Sequence, residues 1–346
     1  MEKSIKDIAL DITEEEYRAM PELSYSTLAK YERGGGFKSI PTLFDKVESP
    51  SLTFGSCVDS LLTGGEEEFN ERFIVAEFPS IPDSIVSIIK YLFNEYKDNY
   101  RSLSMIDNSI IIETTETFKY QLNWKPETRA KVIKEKGEEY YTLLYLSEGK
   151  TIISTEEYSE VLATVDALKS SEATKYYFAR DNPFDNIERQ YQLKFNAEFN
   201  GIGYRIMMDL CIIDHDKKEI IPCDLKTSGK PEYEFFKSFI DWGYMWQAIL
   251  YTKVLEANIK KDPYFKDFTI KPYRFIVANR KSLTPMVWEF EDNHNNDDIL
   301  TYGKYVFRHP FIIGEELYYY LTNGSTVPKN IEISGVNNII EWLNKV

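Results

Sequence analysis

The chain has 346 residues, of which 43% are hydrophobic and 15% aromatic; that suffices for one large domain or two medium ones and is too apolar for a disordered chain. A formal charge of −15 and a pI near 4.9 fit poorly with nonspecific coating of nucleic acid, yet they leave room for an enzyme with a locally basic groove. No apolar run is long enough for a membrane helix, and the charged opening "MEKSIKDIALDITEEEYRAM" does not read as a signal peptide.

Cys57, Cys211 and Cys223 form no CxxC pair, which argues against a zinc site, an iron–sulfur cluster or a disulfide framework and for a reducing cytoplasm. The region to about residue 175 reads mainly as helices. "LSYSTLAKYERGGG" opens on a Ser24 or Ser26 cap and stops at Gly34–Gly36, and "SPSLTFGSCVDSLLTGG" enters a helix after Pro50 and closes at Gly64–Gly65. Ile85, Ile88, Ile89, Leu92 and Phe93 recur at helical spacing. Ser154 and Glu157 form a capping box ahead of a face made by Tyr158, Val161, Leu162, Val165 and Leu168. In "KPETRAKVIKEK" the cations read as a solvated helix face or as phosphate contacts.

From about Ile187 the pattern changes. "IERQYQLKF", "GYRIMMDLCII", "EIIPCDLKT", "YRFIVANR" and "MVWEFE" read as strands, with a helix over Glu232–Asn258 interrupted near Gly243. Helices, then sheet, then helix, then further strands predict an α+β (mixed α/β) domain around one central sheet.

The stretch "YRIMMDLCIIDHDKKEIIPCDLKTS" places one acid inside each of two apolar strands. If "DHDKK" (Asp214–Lys218) is the hairpin turn and pairing is centred between Asp216 and Lys217, Asp209 lies directly opposite Asp224, with Cβ atoms roughly 4.5–5.5 Å apart. Lys226, two residues further, shares their face. Facing carboxylates repel and lose solvation, so the pair calls for something positive between them, for which a divalent cation with hard oxygen ligands is suited. The plain alternative is an exposed hairpin with surface ion pairs, against which the apolar neighbours Ile206, Met208, Leu210, Ile212, Ile220, Ile221 and Leu225 argue.

An acid in one strand followed by D-x-K in the next resembles the core of the PD-(D/E)XK nuclease superfamily. Gln247 and Tyr251 in "MWQAILYTKVLE" resemble the Q-x-x-x-Y mark of its RecB-like branch, which includes RecE-like (exodeoxyribonuclease VIII-like) phage exonucleases. "FGSCVDSLL" is similar to that branch's G-x-x-x-H helix, with Asp59 in the histidine's place, four residues after Gly55. "YSTLAKYERGGGFKSIPTLF" and "GKTIISTEEYSEVLATVDAL" resemble further segments, and Glu188 matches an acid ahead of the first core strand, so the similarity runs from about residue 20 to 290.

The resemblance implies a restriction-endonuclease-like core with a central mixed sheet flanked by helices. It implies a helical region 1–175 that lends one helix (about 51–63) to the active site, and a core with a C-terminal extension over 176–346. The implied activity is Mg²⁺- or Mn²⁺-dependent hydrolysis of DNA at double-strand ends for recombination or repair, in a phage or phage-derived protein of the host cytoplasm. The implied partners are a single-strand annealing protein and further copies of the chain. Asp209, Asp224 and the Leu225 carbonyl would hold metal, with Asp59 as a ligand or merely a polar helix residue. Lys226 would orient water or neutralise phosphate charge, or else make a structural ion pair. Gln247 would fix Lys226 or the water and Tyr251 would contact DNA, helix packing being the alternative for both. Glu188 is an acid behind the metal or the solvated start of a strand. His215, His294 and His309 carry no catalysis in this reading. A catalytically silent DNA-binding module on the same fold is the competing proposal, to which the Asp59 exchange lends weight.

Overall fold

The computed structural model describes residues 3–45, 47, 49–180, 182, 185–293 and 298–323. The described residues fall into two compact units, one within Met1–Asp59 and Ala163–Val346, the other Ser60–Leu162. This partition differs from a single break near residue 175.

The N-terminal region is helical as its periodicity predicts. α1 (Glu14–Ala19) begins with a capping box between Thr13 and Glu16, and α2 (Tyr25–Arg33) begins where the Ser24 hydroxyl accepts the Thr27 N–H. α3 spans Pro50–Thr63, with proline at its first position, where no N–H is needed.

The second unit holds α4 (Gly65–Arg72), β1 (Phe73–Val75), α5 (Asp83–Tyr96), α6 (Asn108–Thr117), α7 (Pro126–Leu146) and β2 (Thr151–Ile153). β1 and β2 pair in parallel. Ile85, Ile88, Ile89 and Leu92 of α5 bury against Ile111, Ile133, Tyr140 and Tyr141. Arg129 of "KPETRAKVIKEK" is not on a solvated face: it is buried and paired with Glu116 at 2.9 Å, which removes it as a phosphate contact.

α8 (Thr155–Ser170) follows, with the Ser154 hydroxyl accepting the Glu157 N–H at 3.0 Å. Val161, Val165 and Leu168 bury as expected, but Leu162 is exposed: five residues are more than the buried arc of this helix takes up.

The central sheet belongs to the first unit and runs β3 (Ile187–Phe199), β4 (Ile202–Asp214), β5 (Glu219–Ser228), β7 (Tyr273–Asn279) and β8 (Met286–Phe290), with β6 (Thr269–Ile270) beside β5. β3–β4, β4–β5 and β7–β8 are antiparallel, whereas β5–β6 and β5–β7 are parallel, so the sheet is mixed. Between β5 and β7 the chain crosses over through α9 (Phe235–Trp242) and α10 (Tyr244–Ile259), which parallel pairing requires. The two helices are joined at Gly243, whose φ of +70° suits glycine. α10 brings Met245, Ala248, Ile249 and Val254 into one core with Phe195, Ile206 and Met208 of the sheet. A hairpin of β9 (Ile299–Tyr302) and β10 (Tyr305–Arg308) and the helix α11 (Pro310–Asn323) complete a mixed α+β fold. Among the described residues no helix is long and apolar enough to cross a membrane.

Candidate active site at the fork of the central sheet

The β4–β5 ladder pairs Asp214 with Glu219 and steps inward to Leu210↔Cys223, the register the turn composition predicts. The ladder stops one pair short of Asp209 and Asp224. On its other edge β5 is paired with β7 from Cys223 onward, Asp224 lying beside Phe275. The two acids thus stand where β4 and β5 part. Leu225 N–H donates to Asp209 Oδ2 at 2.9 Å, so a side chain takes a donor that the β4 backbone does not.

Lys226 Nζ lies 2.6 Å from Asp224 Oδ2, an ion pair. Asp224 is buried, and its other oxygen accepts from Gln247 Nε2 of α10. Burial opposes charge on Lys226, but Asp224, then Tyr244, Asp209 and Tyr25 outweigh it and hold the ammonium more firmly charged than usual. Asp209 goes the other way. Burial, the charge of Asp224 and that of Asp59 push its carboxyl well above the usual carboxylate range, against the pull of Lys226 and the Leu225 N–H.

α3 is carried close to the sheet at Gly55, where a Cβ would stand 3.0 Å from the Thr227 hydroxyl of β5. One turn later Asp59 Oδ2 accepts from Gln192 Nε2 of β3 at 2.8 Å. Asp59, Asp209, Asp224, Lys226 and Gln247 are therefore neighbours.

Two other expected site residues do not line the fork. Tyr251 is a core side chain: it is buried, its ring is edge-on to Tyr273, and its hydroxyl meets the Met207 backbone, so it offers no surface to a DNA phosphate. Glu188 accepts from the Ser4 hydroxyl and the Ile5 N–H, and His215 Nε2 lies 3.1 Å away. It is neither solvated nor an acid behind a metal; it anchors the N-terminal turn to β3. His309 Nδ1 accepts the Phe311 N–H at the start of α11, and His294 lies outside the described residues.

Three site neighbours carry no motif. Lys226 Nζ sits 4.6 Å above the Tyr244 ring, a cation–π contact, and Tyr25 ties α2 to this corner by donating to the Trp242 carbonyl at 2.9 Å. Gln192, the third, lies opposite Asp209 and was legible in principle. Asn200–Gly201 is a favoured two-residue hairpin turn, and here Phe199 pairs with Ile202 across it. Counting back from that turn reaches Gln192 across from Asp209.

Donor chemistry at the fork suits a hard divalent cation: two carboxylates face a single lysine, and the charges of Asp224 and Asp59 are felt at the Asp209 carboxyl. Among the described residues no three His, Cys, Asp or Glu side chains are gathered closely enough to hold a metal ion. The fit thus rests on Asp209 and Asp224, with Asp59, bonded to Gln192, close enough for its charge to act on Asp209.

No protein-family model matches the sequence, and no curated protein matches it. Among solved structures the chain is similar to a Eubacterium rectale protein provisionally described as an exonuclease, with 14% identity over 82% of this chain and 79% of that chain and a TM-score of 0.42. At that score the likeness carries no argument about the site.

Proposed function

We propose that the protein is a metal-dependent deoxyribonuclease, most specifically an exonuclease acting on double-strand DNA ends. The observation that supports it is the grouping of Asp209, Asp224 and Lys226 where two strands of the sheet diverge. Asp209, Asp224 and the Leu225 carbonyl would hold Mg²⁺ or Mn²⁺, with Asp59 as a further oxygen donor. Such an ion polarises a phosphate and makes a bound water more acidic.

The chain's own residues supply the rest. Lys226, kept charged by Asp224, places a positive charge where the phosphate becomes more negative as water adds to phosphorus and the bond to the departing sugar oxygen breaks. Gln247 holds Asp224 through its amide, and Tyr244 supports the ammonium from below. The sequence resemblance extends the proposal to recombination or repair in a phage or phage-derived setting, with a single-strand annealing protein and further copies of the chain as partners.

A silent DNA-binding module on the same fold is the second reading, favoured by Asp59 in place of a histidine and by the lack of three gathered ligands among the described residues. Linear and circular duplex DNA incubated with Mg²⁺, Mn²⁺ or chelator separates the two. Metal-dependent loss of linear DNA, reduced on the order of 10²–10³-fold in Lys226→Met, supports the enzyme. Binding without cleavage in either metal supports the module.

A further inference from the structure

We propose that Gln192 is a positioning residue of this site, its strained backbone turning a neutral amide onto Asp59 and keeping that carboxylate beside Asp209. The inference rests on the nuclease reading and deepens it.

Gln192 lies in the middle of β3, yet its φ is +52°, in the left-handed region. The other non-glycine residues with such a φ, among those described, are Lys119, Gln121, Glu148, Asn200, Lys218 and Leu283. All of them lie in turns or loops between elements; Gln192 alone lies inside a regular element. The β3–β4 partners step from Tyr191↔Leu210 to Leu193↔Met208, so the break in the ladder falls opposite Asp209. Glycine or asparagine is the residue that backbone conformation favours. A glutamine there is disfavoured unless its side chain does something that they cannot.

What it does is visible. Nε2 reaches Asp59 Oδ2 at 2.8 Å, bridging β3 to α3 across 133 residues of sequence. The choice of an amide has a chemical consequence. A lysine or arginine would orient Asp59 equally well but would cancel its charge, and with it any attraction for a cation. An amide fixes the carboxylate and leaves its full negative charge. Strain at a point of close approach, held by the surrounding fold, is the pattern expected where geometry serves a site.

The test compares wild type with Gln192→Gly, which relieves the backbone, and Gln192→Asn, which tolerates it but is one methylene short. Free Mn²⁺ is followed by electron paramagnetic resonance without DNA, and melting temperature is followed without metal. Expected are a Kd for Mn²⁺ raised about tenfold or more in both variants, as losing a partner of a ligand commonly does, and a melting temperature for Gln192→Gly equal to or above wild type. In Asp59→Asn, adding Gln192→Gly should weaken Mn²⁺ no further. Wild-type Mn²⁺ affinity in Gln192→Gly, or a lowered melting temperature with unchanged affinity, overturns the positioning role alone. A wild-type protein that binds no Mn²⁺ overturns the nuclease reading and this inference together.

Discussion

Asp209→Asn should make the protein more stable at neutral pH while removing its activity. Two carboxylates roughly 5 Å apart repel by about 3 kcal/mol at an effective dielectric of ~20. Lys226, drawn to both, offsets much of that repulsion, while the cost of burying the Asp209 charge remains. Asparagine has nearly the same shape and can still accept the Leu225 N–H, so a net gain of about 1–2 kcal/mol is expected, or roughly 2–4 °C in melting temperature per kcal/mol. The sign with pH is definite. The folded carboxyl holds its proton more tightly than the unfolded one, so the wild type is relatively most stable at low pH and loses that advantage as pH rises above the unfolded value near 4. The gap between variant and wild type should therefore be open at pH 7–8 and close as pH falls to about 4. Thermal melts without metal across that range measure it. An equal or lower melting temperature for Asp209→Asn at pH 8 would refute the account of two acids opposed without sufficient counter-charge.

Gln247→Leu leaves Asp224 without its amide donor in a buried position, so urea titration should find a loss of about 1–3 kcal/mol, and no loss would mean the bond does not form. Gly55→Ala puts a Cβ 3.0 Å from the Thr227 hydroxyl and should displace α3, lowering nuclease rate more than stability; paired rate and melting measurements decide. Tyr251→Phe should leave DNA affinity within about twofold of wild type at a stability change of about 1 kcal/mol, since it removes one hydroxyl from the core; a large loss of DNA affinity would reinstate it as a contact.

The hairpin at Asp214–Lys218 shows why some of the site was legible. Side chains in a strand repeat every second residue, so one polar turn between two apolar strands sets the register of every pair, and Asp209 and Asp224 came out at matching positions. Gln247 came from the Q-x-x-x-Y resemblance, and the structure places it on the crossover helix that follows β5. Tyr251 shares a helix face with Gln247, but spacing alone cannot say whether a buried face ends at a site or continues into the core, and here it continues. Glu188 failed for a similar reason: its partners come from Ser4 and Ile5, more than 180 residues away.

Periodicity and turn chemistry, which depend on neighbours a few residues apart, thus marked helices such as α2, α3, α5 and α8, the strands β3, β4, β5, β7 and β8, and the register that brings the two aspartates to the end of the β4–β5 ladder. Only tertiary packing decided where the β4–β5 ladder ends, that burial and neighbouring charge push the Asp209 carboxyl above its usual range, and that Gln192 reaches Asp59. Burial and electrostatics at that fork depend on groups drawn from α2, α3, β3 and α10, and no local pattern in the chain encodes their distances.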